Sequence, residues 1–319
     1  MIKPREDEML REVTVVTAFF DIGRGSWGDG FSRSAHDYIS FFEFWARIDN
    51  ELIVFTEPKY KEAIEKIRAN YGLSKKTHVV AIPDLTEVDP AMYEAIKGAL
   101  SRQEAISFRD APECPESYNA YYDYIMNVKS VLVNKAIDSG FAKGMVAWLD
   151  FGYNHGGEYF QEAEEFDFTW CTDLPEKINI FALEDDVQVP IFEIVRSMKV
   201  YLSGGLIVAP DILWRDMQDL MRQAVDSLSD CGLADDDQTV MLMAQRKRAD
   251  LFNCIPVEYW FDPLIIASKH NFTVKKRERA KFIQHKLAKR SALRAWRQQR
   301  YIQFGKDFCK YIILRMRGK

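Results

Sequence analysis

Through the first 270 residues, short runs of β-branched and aromatic residues alternate with longer stretches whose apolar positions recur every three or four residues. That alternation predicts βα units building a mixed, mostly parallel sheet flanked by helices, an α/β fold of Rossmann-like kind. Strands are expected at 13–20 (VTVVTAFF), 51–56 (ELIVFT), 78–83 (HVVAIP), 145–150 (MVAWLD) and 178–183 (INIFAL). Helices are expected over 34–49, 58–71, 117–139 and 211–228, the second with Pro58 at a first helical position. Within 117–139, Ile125, Val128, Leu132 and Ala136 form one stripe that faces the sheet, so Lys129 and Lys135 should project elsewhere. The segment from Val200 carries Gly204-Gly205, which reads as a tight strand entry or as a place where a substrate approaches the backbone. No internal repeat, Pro-rich linker or low-complexity tract interrupts the pattern.

The 319 residues are 47% apolar and 13% aromatic, enough core-forming material to exclude disorder along the whole chain. No apolar run approaches the roughly 18–20 residues that span a bilayer, and MIKPREDEMLRE is too charged for a secretory signal, so a cytoplasmic protein is expected. The five cysteines are far apart and lack metal-site spacing, which reads as reduced thiols. Net charge is −5, but that average hides a division. Residues 271–319 hold 16 Lys and Arg against Glu278 and Asp307, a net of +14, which leaves −19 on residues 1–270. Two units follow: a domain over 1–270 and a basic, amphipathic helical extension over 271–319. In the extension Phe304, Phe308, Tyr311 and Ile312 share a helical face with Lys306, Lys310, Arg315 and Arg317 around it, and Gly305 weakens the helix. An anionic membrane surface is the expected partner, with packing on the acidic domain as the alternative. Trp296, Tyr301 and Phe304 interleave with arginine as in a nucleic-acid surface, but −19 elsewhere repels a polyanion and argues against that partner.

Open α/β sheets bind ligands beyond the carboxyl ends of their strands. The first strand is followed by DIGRGSWGDG, residues 21–30, and then Arg33; loop amides with Arg24 or Arg33 suit a phosphate, unless the loop is merely flexible. It has neither the GxGxxG pattern with its downstream acid nor GxxxxGK[ST], which argues against a dehydrogenase or a P-loop NTPase. The fourth strand ends in Asp150 within WLDFGYNHGG, and a carboxylate ending a buried strand requires a divalent cation, a ribose hydroxyl or a helix N-terminus. His155 nearby is a further ligand or plain polar surface. Asp235, Asp236, Asp237 and Gln238 stand at a helix start, where capping is the competing explanation. Glu184-Asp185-Asp186 is a solvated turn or a metal contact.

In this order the features resemble a GT-A glycosyltransferase. Residues 127–150 are similar to the stretch leading into the Asp-x-Asp metal motif, and Gly204-Gly205 through Asp237-Gln238 to acceptor-side motifs of family 8. More closely, TAFFDIGRG, the aromatic stretch 38–45, LIVFT and WLDFGY resemble the HtrL/YibB/WlaTC family of bacterial surface-polysaccharide loci over roughly residues 12–270. The resemblance implies a GT-A-like enzyme that moves a sugar from a nucleoside-diphosphate donor, UDP-sugar favoured, to a lipid-linked lipopolysaccharide, lipooligosaccharide or capsule glycan at the inner face of the cytoplasmic membrane. It places Thr17, Ala18, Phe19, Phe20 and Asp21 with Arg24, Arg33, Lys129, Gly204 and Gly205 at the donor, and Asp150 with Asp237 or Gln238 at the chemistry. Asp237 is the expected base of an inverting reaction and Gln238 the polar group of a retaining one. One departure stands out: Asp150-Phe151-Gly152 lacks the second acid. Either Asp150 holds Mn2+ or Mg2+ with help from His155, Asp186 or His270, or no metal is used; KHNF at 269–272 lacks the Gly and Lys of the family 8 pattern. The alternative is a sugar-nucleotide-binding or scaffold protein that kept the fold without catalysis.

Overall fold

A computed structural model describes residues 10–28, 31–184, 188–275 and 301–317. The five expected strands form as β1 Arg11–Phe19, β2 Leu52–Thr56, β3 Thr77–Ala81, β4 Met145–Leu149 and β6 Ile178–Ala182. Three more join them: β5 Cys171–Thr172, β7 Leu202–Pro210 and β8 Phe252–Pro256. The sheet order is β3-β2-β1-β4-β7-β6-β8, with β5 antiparallel beside β1. β7 runs antiparallel to β4 and β6, and the other pairings on that path are parallel, so the sheet is mixed and mostly parallel.

Helices cover both faces: α1 Ala35–Trp45, α2 Pro58–Asn70, α3 Pro90–Leu100, α4 Gln103–Phe108, α5 Ala120–Asn127, α6 Lys129–Asp138, α7 Ile191–Ser197, α8 Trp214–Asp230, α9 Asp237–Lys247 and α10 Asp262–Ser268. Local chemistry sets their starts. Ser34 and Asp37 close α1 in a reciprocal capping box, and Pro58 opens α2. The strand period of two sorts side chains between the layers. Val13, Val15 and Phe19 pack with Phe42, Trp45 and Ile64 on one side. Val16 and Phe20 pack with Leu132, Trp214 and Met241 on the other. Each such side chain contributes about 1.5–3 kcal/mol on leaving water. None of the five cysteines is in a disulfide.

Three expectations need correction. The 117–139 segment is two helices, because Val128 at φ −78°, ψ −4° ends α5 and opens α6. Val128, Leu132 and Ala136 are buried and Lys135 is exposed as expected, but Lys129 turns inward and is only 3% exposed. The folded body also continues past residue 270. Val274 bridges to Phe160, the Gln161 amide donates to the Thr273 carbonyl at 3.0 Å, and the Lys275 amide to the Tyr159 carbonyl at 2.8 Å.

The helix Tyr301–Arg317 forms through Gly305, with Phe308 and Ile313 each 45% exposed. The side chains of Phe304 and Arg317, residues 276–300 including Trp296, and Gly30, Asp185 and Asp186 lie outside the described residues. Among the described residues no helix is long and apolar enough to cross a membrane.

Candidate functional site

The carboxyl ends of β1 and β4, the glycine pair in β7 and the start of α9 surround a cavity of about 370 Å³. From β1 and the loop after it come Ala18, Phe19, Phe20, Asp21 and Arg24, followed by Arg33. Asp21 folds this loop back on itself, its carboxylate accepting from the Gly23 amide at 3.0 Å and from the Tyr60 hydroxyl at 3.0 Å. Arg24 pins the loop further, donating to the Tyr38 hydroxyl at 2.7 Å and the Phe31 carbonyl at 3.3 Å while stacking over Trp27. Arg33 lines the cavity and makes no side-chain hydrogen bond or ion pair among the described residues.

At the floor lies a buried charge cluster. The Lys129 ammonium donates to Asp237 Oδ2 at 2.8 Å and to the Gly204 carbonyl at 2.9 Å, and lies 3.0 Å from Asp150 Oδ1. Trp148 Nε1 donates to the same Asp150 oxygen at 2.7 Å. The partner that Asp150 requires is therefore an ammonium supplied by the helix break at Val128. Asp150 itself is 34% exposed and opens on the cavity, whereas Asp237 is almost fully enclosed. Glycine at 204 makes the cluster possible, since a Cβ there would lie 2.5 Å from Asp237 Oδ2. Gly205 does not line the cavity; its carbonyl accepts from the Asp150 amide at 2.9 Å and so fixes the strand end.

Burial alone would lower the Lys129 pKa, but Asp150 and Asp237 outweigh it and hold the ammonium charged above its ordinary range. Burial pushes Asp237 up to about 6 despite Lys129, with Asp150 adding repulsion. Beneath them Asp236 caps α9, accepting from the Gln238 amide at 3.1 Å and the Gln238 side chain at 3.0 Å. Burial, reinforced by Asp235 and Asp237, holds Asp236 well above the carboxylate range. Asp123 is raised as strongly by burial, and both its oxygens lack a hydrogen-bond partner.

Twelve expected site residues thus line one cavity: Ala18, Phe19, Phe20, Asp21, Arg24, Arg33, Lys129, Asp150, His155, Gly204, Asp237 and Gln238. Three do not. Thr17 is sealed inside β1 with its hydroxyl unpartnered, and Gly205 backs the strand end. His270 stacks on Phe168 at 4.1 Å, beside Phe272. His155 enters from an unusual loop in which Asn154, His155, Gly156 and Gly157 all have positive φ. Its Nδ1 lies 2.7 Å from Glu158, and burial, followed by Arg33, lowers its pKa.

Tyr122, Met126, Trp148, Trp260 and Phe261 are among the further lining residues and were not anticipated as site residues. The aromatic pair in EYWFDP, ahead of Pro263 in the first turn of α10, was the available signal for the last two. Among the described residues no group of three or more His, Cys, Asp or Glu side chains is placed to hold a metal. With one Asp150 oxygen engaged by Lys129 and Trp148, and glycine at 152, the donors among the described residues, which do not include Asp186, do not fit a protein-held Mn2+ or Mg2+.

Residues 11–268 match the family described as "Bacterial protein of unknown function (HtrL_YibB)". Protein HtrL of Escherichia coli (strain K12) is 32% identical over 270 residues, covering 80% of this chain and 92% of that protein. Among solved structures, apo mouse xyloside xylosyltransferase 1 is similar at TM-score 0.41 and 13% identity, over 76% of this chain and 84% of that one. PaToxG glycosyltransferase is similar at TM-score 0.33 and 7% identity, over 83% and 81%.

Proposed function

The chain belongs to the HtrL/YibB family, and from the geometry of its cavity we propose that it is a glycosyltransferase using a nucleoside-diphosphate sugar, with UDP favoured by the sequence resemblance. The observation that carries this reading is the Asp150–Lys129–Asp237 cluster opening on a cavity at the carboxyl edge of the sheet, where it meets Arg33 and the loop after β1. Such a site places cations and carboxylates against one bound molecule, as glycosyl transfer requires.

In that reaction the acceptor hydroxyl oxygen forms a bond to the anomeric carbon while the bond from that carbon to the diphosphate oxygen breaks, and the diphosphate leaves with the electron pair. Positive charge grows on the sugar and negative charge on the leaving group. Lys129 and Arg33 favour the latter and the carboxylates the former, each more strongly in the transition state than in the ground state. In our assignment Asp237 takes the proton of the acceptor hydroxyl. A Mn2+ or Mg2+ would have to bring its remaining ligands from the diphosphate and water. The acceptor in this reading is a lipid-linked surface glycan, reached at the inner membrane face through the basic segment 271–319.

The test is UDP release from a panel of UDP-sugars without acceptor, since transferases slowly hydrolyse their donors. Wild-type release that Asp150→Ala and Asp237→Asn each reduce by about 100-fold or more, an effect of the size of one lost transition-state contact, is the expected result. Donor binding with no release from any sugar nucleotide would identify a binding protein instead.

A further inference from the structure

Three cationic side chains line the cavity, and two of them are already engaged. Lys129 is shared by Asp150, Asp237 and the Gly204 carbonyl. Arg24 is tied to Tyr38 and Phe31 and covered by aromatic rings. Arg33 remains. Its backbone is fixed, its amide donating to the Arg24 carbonyl at 3.2 Å, and the next residue is the Ser34 cap of α1. The α1 acid that feels its charge, Asp37, is occupied by the Ser34 amide at 2.7 Å and hydroxyl at 2.8 Å. Arg33 is half-buried and lines the cavity with no side-chain partner among the described residues, which makes it a ready site for a phosphate that its planar fork matches with two parallel hydrogen bonds.

Of the residues expected to hold a divalent cation, Asp186 lies outside the described residues and the others are arranged differently. Asp150 Oδ1 faces Lys129 and Trp148, and position 152 is glycine. His155 has Nδ1 against Glu158 and feels the charge of Arg33, while His270 belongs to an aromatic cluster that does not line the cavity. Asp150, Asp237 and His155 each already feel a neighbouring cation, where a second cation would be repelled, and Asp21 is held by the Gly23 amide and the Tyr60 hydroxyl.

We infer that the donor's diphosphate is bound by Arg33, with the Lys129 charge behind it, and without a divalent metal ion. The inference rests on the reading of this cavity as a nucleotide-sugar site.

Isothermal titration of the full-length chain with UDP, in EDTA and in Mn2+, tests it, using wild type, Arg33→Lys and Arg33→Gln, each first shown by circular dichroism to melt as wild type does. UDP should bind in EDTA with a Kd within about threefold of that in Mn2+. Arg33→Gln should raise that Kd by roughly tenfold to 100-fold, the effect of one lost charge-assisted pair, and Arg33→Lys should fall between. Binding that requires Mn2+ overturns the inference and leaves the glycosyltransferase reading intact. Unchanged affinity in Arg33→Gln removes Arg33 from the site and overturns it as well. Absence of UDP, GDP, CDP and ADP binding under both conditions overturns the underlying reading.

Discussion

At Lys129 one ammonium balances two carboxylates that come from β4 and from the start of α9, the latter 108 residues away in the chain. Removing one partner of a buried cluster costs more than the cluster contributes, because the remaining charges stay desolvated. Lys129→Met should therefore destabilise the fold by about 3–5 kcal/mol in urea unfolding. Adding Asp237→Asn should recover part of that loss, and a single variant as stable as wild type would contradict the charge balance proposed for this floor. Asp237 also sets a pH signature. Its pKa in the fold, about 6, stands above the ordinary 3.8, so the fold favours its protonated form. Its stabilising contribution is present below 3.8 and is lost as pH rises through 6. If Asp237 is the base, donor turnover moves in the opposite direction, falling as pH drops through 6, while the melting temperature gains from this group. A pH series of UDP release beside one of melting temperature should show the two opposed trends, and Asp237→Asn should remove the contribution to both.

Among the elements, the loop after β4 carries the most local strain. Asn154 and His155 take left-handed φ values of 65° and 45°, and the Asn154 side chain holds the turn by accepting from the Tyr159 and Phe160 amides and donating to the Phe160 carbonyl. Asn154→Ala loses those three bonds and adds backbone strain, so a loss of about 2–4 kcal/mol is expected. Asn154→Gly removes the strain and should cost less, a ranking that chemical denaturation of the pair can check. The strands of this sheet were readable because burial on both faces makes each a short apolar run, as in LIVFT and MVAWL. β7 was read only as a possible strand entry. Its glycine pair signals a turn or close approach, and what it accommodates, the Asp237 carboxylate, is distant in sequence. β8 was missed because FNCIP is half exposed and carries no strong alternation. The break at Val128 has no Gly or Pro to announce it, so periodicity pointed Lys129 outward. That Asp150 needed a partner followed from its place at a strand end; that the partner would be Lys129 did not, since it depends on how α5 and α6 meet the sheet.

For the whole molecule, the governing feature is the separation of +14 on residues 271–319 from −19 on residues 1–270. Bilayer insertion is not the use suggested by Tyr301–Arg317, whose exposed Phe308 and Ile313 share a helix with Lys306, Lys310 and Arg315. Basic residues beside an anionic leaflet contribute about 1 kcal/mol each, and this attraction fades as the Debye length shrinks from about 10 Å at 0.1 M salt to about 3 Å at 1 M. We therefore expect the full chain to sediment with phosphatidylserine-containing vesicles, to ignore pure phosphatidylcholine, and to be released by molar salt. A chain ending at Lys275 keeps every backbone pairing of the body found among the described residues, so it should lose vesicle binding while its melting temperature and UDP affinity stay at full-length values. A lowered melting temperature in that truncation would instead show the basic segment packed on the acidic domain. Preferential capture of RNA over vesicles at equal salt would assign the segment to nucleic acid. Either result removes the membrane from the proposed route to a lipid-linked acceptor without touching the cavity chemistry, because the Lys129 cluster and Arg33 lie entirely within the first 270 residues.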